Sequence, residues 1–160
     1  MGTGIWAMHF IGMLAFQLPV SIRYDVGTVA LSLAAAVLAS GVALSTLGDR
    51  EATLLKLLRG SIFMGLGIVA MHYTGMVAIR STANTTYTPW LVTVSIVVAI
   101  GVSFVGLWLV SFLRDQSGEV LSKKKLIGAI VLGFAIPSMH YTAMAAASFL
   151  PDHSMQIQHV

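Results

Sequence analysis

Three histidines with the same neighbours occur in this chain, each inside an apolar segment. They are His9, His72 and His140; a methionine precedes each one, an aromatic residue follows it, and a second methionine lies four positions later. A histidine in hydrocarbon costs free energy, so an ionisable residue inside a membrane segment indicates a functional site. Because residues four apart lie on one face of a helix, each imidazole can share its face with a thioether. The candidate metal ligands are His9, His72, His140, Met13, Met76, Met144, Met8, Met71 and Met139.

These candidate ligands favour copper over other metals. Thioether sulfur suits Cu(I), and imidazole suits both copper states. Zinc more often recruits cysteine or carboxylate besides histidine, and the chain contains no cysteine. Magnesium and calcium need oxygen ligands, and no acidic residue lies within the apolar segments. We therefore predict a copper site.

The same residues allow three other interpretations. Two imidazoles, or an imidazole and a methionine, could be axial ligands to a haem between helices. Histidines near one face of a membrane could sense pH or relay protons. Alternatively, the methionines only fill gaps in the helix packing and the histidines donate hydrogen bonds to carbonyl groups. Tyr73, Tyr141, Thr74 and Thr142 follow two of the histidines and could hydrogen-bond the imidazoles.

The composition is that of a polytopic membrane protein. Of the 160 residues, 57% are hydrophobic and only 9% are charged, against roughly 25% charged in soluble domains. Five apolar stretches have about the length of roughly 20 residues that a transmembrane helix needs. They predict an all-α transmembrane bundle of about five helices, at 1–18, 26–47, 60–80, 89–113 and 126–150.

The positive charges predict the orientation of this bundle. Seven of the nine Lys and Arg residues lie in the segments 48–59 and 114–125, and short basic loops stay on the cytoplasmic side of a membrane. The segments 19–25, 81–88 and the tail 151–160 are then external, and the three histidines lie in the outer half of the bilayer. The net charge of +3 follows from this topology. We therefore expect a lipid bilayer, and no nucleic acid, as a partner.

The chain consists of internal two-helix repeats. A shift of 63 residues aligns His9 with His72 and also matches two pairs of serines downstream, and the third copy follows after another 68 residues. Each unit then comprises an outward helix with the motif, an external loop and an inward helix. Met1 aligns with Met64, which lies inside an apolar segment. We therefore expect residues 1–150 to be a transmembrane domain truncated at both ends, with the short external tail after it.

The motifs resemble those of the bacterial MHYT domain. Residues 71–74 and 139–142 both read Met-His-Tyr-Thr, and residues 4–13 resemble the first copy of the family's motif. The chain departs from the family pattern at two places. Phe10 and Ile11 replace the Tyr-Thr pair of the first copy, and Ala143 replaces a glycine of the third copy. The resemblance covers helices two to six of a seven-helix integral membrane sensor. It implies copper binding by the motif Met and His residues and sensing of oxygen, carbon monoxide or nitric oxide. It also implies a bacterial inner membrane location and a cytoplasmic output that makes or degrades cyclic-di-GMP or acts as a histidine kinase.

The sequence therefore predicts a sensory membrane module rather than an enzyme. It contains no recognisable nucleophile–base pair, paired carboxylates or Gly-rich phosphate loop. We expect copper as the cofactor, a diatomic gas or the redox state as the stimulus, and a cytoplasmic signalling domain or protein as the partner. Copper transport is an alternative function, although ligands at one depth argue against a transport path. A haem-binding membrane protein is the other alternative.

Overall fold

Five helices dominate the part of the chain that the computed structural model describes, residues 1–15, 23–46, 53–80, 83–114 and 123–151. Four of them are long and apolar enough to cross a membrane, whereas the first has only 14 residues. The predicted all-α transmembrane fold is confirmed, and the chain is a multi-pass membrane protein. The helices are α1 (Gly2–Ala15), α2 (Val26–Ser45), α3 (Leu54–Val77), α4 (Pro89–Arg114) and α5 (Lys123–Ala146).

Two helices begin earlier than their apolar segments. α3 begins at Leu54, before the predicted start at residue 60, and α5 begins at Lys123, before residue 126. Lysine and arginine are good helix formers, so the charges that end the apolar segment do not end the helix. Leucines alternate with Lys56 and Arg59 in the first turns of α3, which is typical of a helix that continues past the hydrocarbon boundary.

Local signals fix the starts of the two inward helices. Asp25 precedes α2, and its Oδ1 accepts hydrogen bonds from the backbone nitrogen of Thr28 at 3.0 Å and from the Thr28 hydroxyl at 2.7 Å. This N-cap satisfies a backbone donor that has no partner within the helix. α4 begins with Pro89, whose missing N–H costs nothing in the first turn of a helix.

Short antiparallel ribbons join the segments before α2 and α4 to the ends of α3 and α5, a feature that the all-α prediction did not include. β1 (Arg23–Tyr24) pairs with β2 (Ile79–Arg80), which directly follows α3. β3 (Ala83–Tyr87) pairs with β4 (Ala147–Pro151), which directly follows α5. The loop of each unit is thereby tied to the end of the next unit's first helix. β4 also occupies residues that the sequence assigned to the fifth membrane segment.

The helices form a partial ring with approximate threefold repetition. α1, α3 and α5 carry the three motifs and meet at the histidines. α2 packs against α1 and α3, and α4 packs against α3 and α5. The outward surfaces of the helices expose apolar side chains such as Leu38, Phe63 and Val97, as a lipid-facing surface requires.

Buried serines connect the inward helices to the motif helices. The indole nitrogen of Trp6 donates to the hydroxyl of Ser32 at 3.0 Å, and the phenol of Tyr73 lies 3.1 Å from the hydroxyl of Ser95. Small polar residues at such interfaces permit close helix packing and interhelical hydrogen bonds. Ser32 and Ser95 are one of the serine pairs that the 63-residue shift aligns, so the repeat extends to the contacts between helices.

A candidate metal centre of three histidines

The three motif histidines form one buried cluster. The Nδ1 atom of His9 lies 3.2 Å from Nδ1 of His72 and 3.2 Å from Nδ1 of His140. The ring centroids are 4.7, 5.1 and 5.4 Å apart, and every pair of rings meets edge to face. All three side chains are at most 2% exposed. In the described part of the chain, no other group of three His, Cys, Asp or Glu side chains comes together in this way.

The facing nitrogens constrain the protonation of the cluster. A neutral imidazole carries its proton on one nitrogen and a lone pair on the other. His9 Nδ1 faces two other Nδ1 atoms, so without a shared proton three lone pairs would point at one another. The Nε2 atoms of His9 and His72 are also buried, and neither has a hydrogen-bond partner among the described residues. Burying polar nitrogens in this way costs free energy unless they are satisfied.

The two Nδ1–Nδ1 distances that involve His9 fit the ligand spacing around a single metal ion. At metal–nitrogen distances of about 2.0–2.1 Å, tetrahedral ligands lie about 3.3 Å apart. The two measured Nδ1–Nδ1 distances are 3.2 Å. A cation between these atoms would use all three lone pairs and remove the repulsion between them. The donor set therefore suits a transition metal that accepts imidazole.

Glycines on neighbouring motif helices bring the imidazoles to this spacing. A Cβ atom on Gly12 would lie 2.6 Å from Nε2 of His140, and a Cβ atom on Gly75 would lie 2.5 Å from Nε2 of His9. Each glycine thus leaves room for a histidine ring of another motif, because it has no side chain. Ala143 occupies the corresponding position of the third motif and is completely buried. The glycine contact is therefore not repeated at the third position, and the triangle of rings is unequal.

The structure separates the candidate methionines into two groups. Met13, Met76 and Met144, which follow the histidines by four residues, are buried together in a small cluster with Ile79 and Phe149 near the ribbons. The methionines that precede the histidines lie elsewhere: Met71 and Met139 belong to the main hydrophobic core of the bundle, whereas Met8 is half-buried. Only the first group thus forms a common layer of thioethers, which lies between the histidines and the ribbons.

The hydroxyl groups of the motifs bind other partners than the imidazoles. The Tyr73 phenol contacts Ser95, and the Thr142 hydroxyl donates to the backbone oxygen of Ser138 at 2.7 Å. The described residues show no hydrogen bond from Tyr141 or Thr74 to an imidazole. The expected hydrogen bonds to the imidazoles are therefore not seen among the described residues: Tyr73 binds a serine of α4, Thr142 binds the backbone of its own helix, and Tyr141 is exposed.

An ion pair ties the segment before α2 to the strand that follows α3. The Asp25 carboxylate lies 3.6 Å from the Arg80 guanidinium. Hydrogen bonds from Thr28 lower the pKa of Asp25 below its ordinary value, and the charge of Arg80 adds to this effect. Burial raises the pKa of the Tyr87 phenol, and the nearby Tyr73 adds to this shift. The other two histidines of the chain, His153 and His159, lie outside the described residues.

Comparisons with known proteins agree with this architecture. The family described as "MHYT: Bacterial signalling protein N terminal repeat" matches residues 2–60 and 65–122. From Pseudomonas aeruginosa, the cyclic di-GMP phosphodiesterase NbdA is 44% identical over 91% of this chain, and the bifunctional diguanylate cyclase/cyclic di-GMP phosphodiesterase MucR is 44% identical over 93%. The signaling protein YkoW of Bacillus subtilis is 40% identical over 95%.

These similarities cover a limited part of the relatives. The chain spans 19% of NbdA, 22% of MucR and 19% of YkoW. No solved structure matches the chain. The two matches to the repeat, the helical membrane bundle and the three motifs together lead to one conclusion: this chain belongs to the MHYT family of bacterial signalling membrane domains.

Proposed function

We propose that this chain is a sensory module of the bacterial inner membrane that binds one copper ion through His9, His72 and His140. The observation that carries this proposal is the convergence of three buried imidazoles, in which Nδ1 of His9 lies 3.2 Å from Nδ1 of both other histidines and the possible ligand atoms all lie within 4.8 Å of one another. A cluster of three buried imidazoles costs free energy to form, and an ion at its centre would offset that cost. Bound copper would supply a redox-active centre able to bind small diatomic molecules.

The methionine layer supports copper over zinc. Met13, Met76 and Met144 are buried together just outside the histidines, and thioethers stabilise Cu(I) but contribute little to zinc binding. The motif helices themselves carry no carboxylate or thiolate. The proposed ligand set is therefore the histidine triad, with the three methionines as additional soft donors on the outer side.

The compactness of the triad disfavours haem and a transport path. A haem would have to lie between two imidazoles, whereas here the three rings already contact each other with centroids 4.7–5.4 Å apart. A transport path would place further ligands along the membrane normal. Among the described His, Cys, Asp and Glu side chains, the triad is the one group of three that could hold a metal ion, and the methionine layer lies next to it.

The relatives suggest where the signal goes. NbdA is named as a cyclic di-GMP phosphodiesterase and MucR as a bifunctional diguanylate cyclase/cyclic di-GMP phosphodiesterase, and this chain matches only about a fifth of each. We infer that the module passes the state of its metal site to a cytoplasmic domain or protein of cyclic-di-GMP turnover. The positive charges near the starts of α3 and α5 support an orientation with these ends in the cytoplasm.

Metal analysis of the purified protein tests the proposal. The full chain in detergent is equilibrated with Cu(I), washed and analysed for metal by mass spectrometry. We expect about one copper per chain for the wild type. The copper content of His72→Ala should fall sharply, because its affinity drops at least tenfold. The copper content of His153→Ala, which removes a histidine outside the triad, should stay unchanged. Infrared spectroscopy then shows whether the Cu(I) protein binds carbon monoxide. A wild-type chain that stays metal-free, or a His72→Ala variant with full copper, would contradict the proposal.

A further inference from the structure

Two arginines meet at the end of the bundle that carries the ribbons. The other seven Lys and Arg residues lie in the segments 48–59 and 114–125, around the opposite helix ends. β1 pairs with β2 in a register that places Arg23 directly opposite Arg80. Directly opposite residues of an antiparallel pair lie on one face, with Cβ atoms about 4.5–5.5 Å apart. The two guanidinium groups therefore share one face of this ribbon, and we call Arg23 and Arg80 the arginine pair.

The other face of the ribbon packs against the bundle. Tyr24 lies opposite Ile79 in the same register. The ring of Tyr24 contacts Phe10, with centroids 5.8 Å apart, and Ile79 packs against the methionine layer. Because successive side chains of a strand point to opposite faces, the arginine pair points away from the bundle. Both arginines are exposed, and the side chain of Arg80 is 68% exposed.

The charge of the arginine pair is only partly balanced by the protein. Oδ2 of Asp25 lies 3.6 Å from Nη2 of Arg80, whereas Oδ1 of Asp25 accepts the hydrogen bonds of the α2 N-cap. The side chain of Arg23 has no hydrogen bond or ion pair in the described part of the chain. Two guanidinium groups thus face one carboxylate. Like charges directly opposite each other destabilise a strand pair, so an anion bound between them would offset this repulsion.

The arginine pair lies at the boundary of the apolar surface. Arg23 precedes Val26 of α2 by three residues, and Arg80 follows Val77 of α3 by three residues. Val26 is 80% exposed and Val77 is 68% exposed, as expected for side chains that face lipid. Arginine at such a boundary lays its apolar stem along the hydrocarbon and extends its charged head toward the water. The guanidinium groups are therefore at the depth of the lipid phosphates.

We propose that Arg23 and Arg80 together bind the phosphate group of one anionic phospholipid, whose acyl chains lie along α2 and α3. The planar fork of a guanidinium matches a phosphate in a bidentate manner. A guanidinium has five N–H donors, so the contact of Arg80 with Asp25 leaves donors for the phosphate. The net positive charge selects an anionic headgroup over a zwitterionic one, whose ammonium it repels. The bound lipid holds β1 and β2 together beside Ile79 and involves no metal.

Native mass spectrometry tests this proposal. The full chain in a neutral detergent is titrated with phosphatidylglycerol, and the affinity for the first bound lipid is measured. Arg23→Gln and Arg80→Gln should each lower this affinity about tenfold, because a bidentate, charge-assisted contact is lost. The double variant should bind little more weakly than either single variant, since two residues that bind one phosphate act as a unit. The matched control combines Arg59→Gln with Lys123→Gln, which removes two exposed charges at the opposite helix ends, and it should keep the wild-type affinity.

Three further measurements separate a specific lipid site from general attraction by charge. Arg80→Lys keeps the charge but not the fork, and it should lower the affinity about threefold. Phosphatidylglycerol should raise the thermal midpoint of the wild type but not that of Arg23→Gln. Inorganic phosphate should fail to displace the lipid at equal concentration.

Four results would overturn the proposal. They are an unchanged affinity in the double variant, additive losses in the two single variants, equally tight binding of phosphatidylcholine, and displacement of the lipid by an equal concentration of inorganic phosphate. The second result would show two independent charges rather than one site. The last would show a site for a free anion rather than for a lipid.

Discussion

Substituting Gly75 by alanine should disturb the histidine triad without touching a histidine. The added Cβ atom would lie 2.5 Å from Nε2 and 3.0 Å from Cδ2 of His9. Ordinary contact begins near 3.4 Å, so the imidazole must move by about 0.9 Å in a closely packed interior. Binding constellations tolerate displacements of roughly 0.5 Å. We therefore expect the copper affinity to fall about tenfold or more.

The stability of this variant should change much less than its copper affinity. Overpacking a core costs about 1–3 kcal/mol, and alanine recovers about 1 kcal/mol through its helix propensity. The apo protein should therefore lose only about 0–2 kcal/mol. Affinity is measured by competition with a chromophoric Cu(I) chelator, and the thermal midpoint is measured in the same detergent.

Gly101→Ala is the matched control for this experiment. Its Cβ atom meets no described atom within 4 Å, so copper affinity should stay at the wild-type value. A Gly75→Ala variant that binds copper as tightly as the wild type would refute the argument that this glycine sets the position of His9.

Three further predictions concern two residues of α3 and the N-cap of α2. Met76→Leu keeps a buried apolar side chain of similar volume, so it should lower the free energy of unfolding by less than about 1.5 kcal/mol. It should nevertheless lower the affinity for Cu(I) at least tenfold in the chelator assay. An unchanged affinity would assign the methionines to packing alone. Tyr73→Phe removes the hydrogen bond to Ser95 and should lower the free energy of unfolding by about 0.6 kcal/mol, measured by denaturant titration, whereas Tyr141→Phe should leave the isolated chain unchanged. The hydrogen-bonded Asp25 has a pKa below its ordinary value of 3.8, so its carboxylate stabilises the fold above pH 3.8 and loses this effect as the pH falls through the folded-state pKa. Asp25→Ala should therefore be less stable than the wild type at pH 7 and should lose less stability on acidification. Parallel curves of unfolding free energy against pH for the two proteins would contradict this.

The sequence predicted the membrane helices because their signal is local. Long apolar stretches locate α2 and α4 to within about two residues at each end. The start of α3 at Leu54 was missed because hydropathy reports the hydrocarbon boundary, whereas helix formation continues through Lys56 and Arg59. The ribbons were missed for a different reason. A strand of two residues such as Arg23–Tyr24 has no periodicity, and its partner Ile79–Arg80 is distant in the chain.

The candidate site was predictable as a set of residues but not as a geometry. The common frame of the three motifs was enough to suggest that His9, His72 and His140 lie at one depth. The sequence contains no signal for the choice of Nδ1 as the facing nitrogen, because that choice depends on how closely the helices approach. Gly12 and Gly75 permit the approach, and a glycine three residues after two of the three histidines was the only available hint.

X-ray absorption spectroscopy of the Cu(I)-loaded protein shows directly whether the three imidazoles bind one copper ion. We expect one copper per chain with about three imidazole nitrogens in the first coordination sphere, and loss of one of them in His140→Ala. A copper site without imidazole scattering, or a spectrum that the removal of His140 leaves unchanged, would rule out the histidine triad as the copper site.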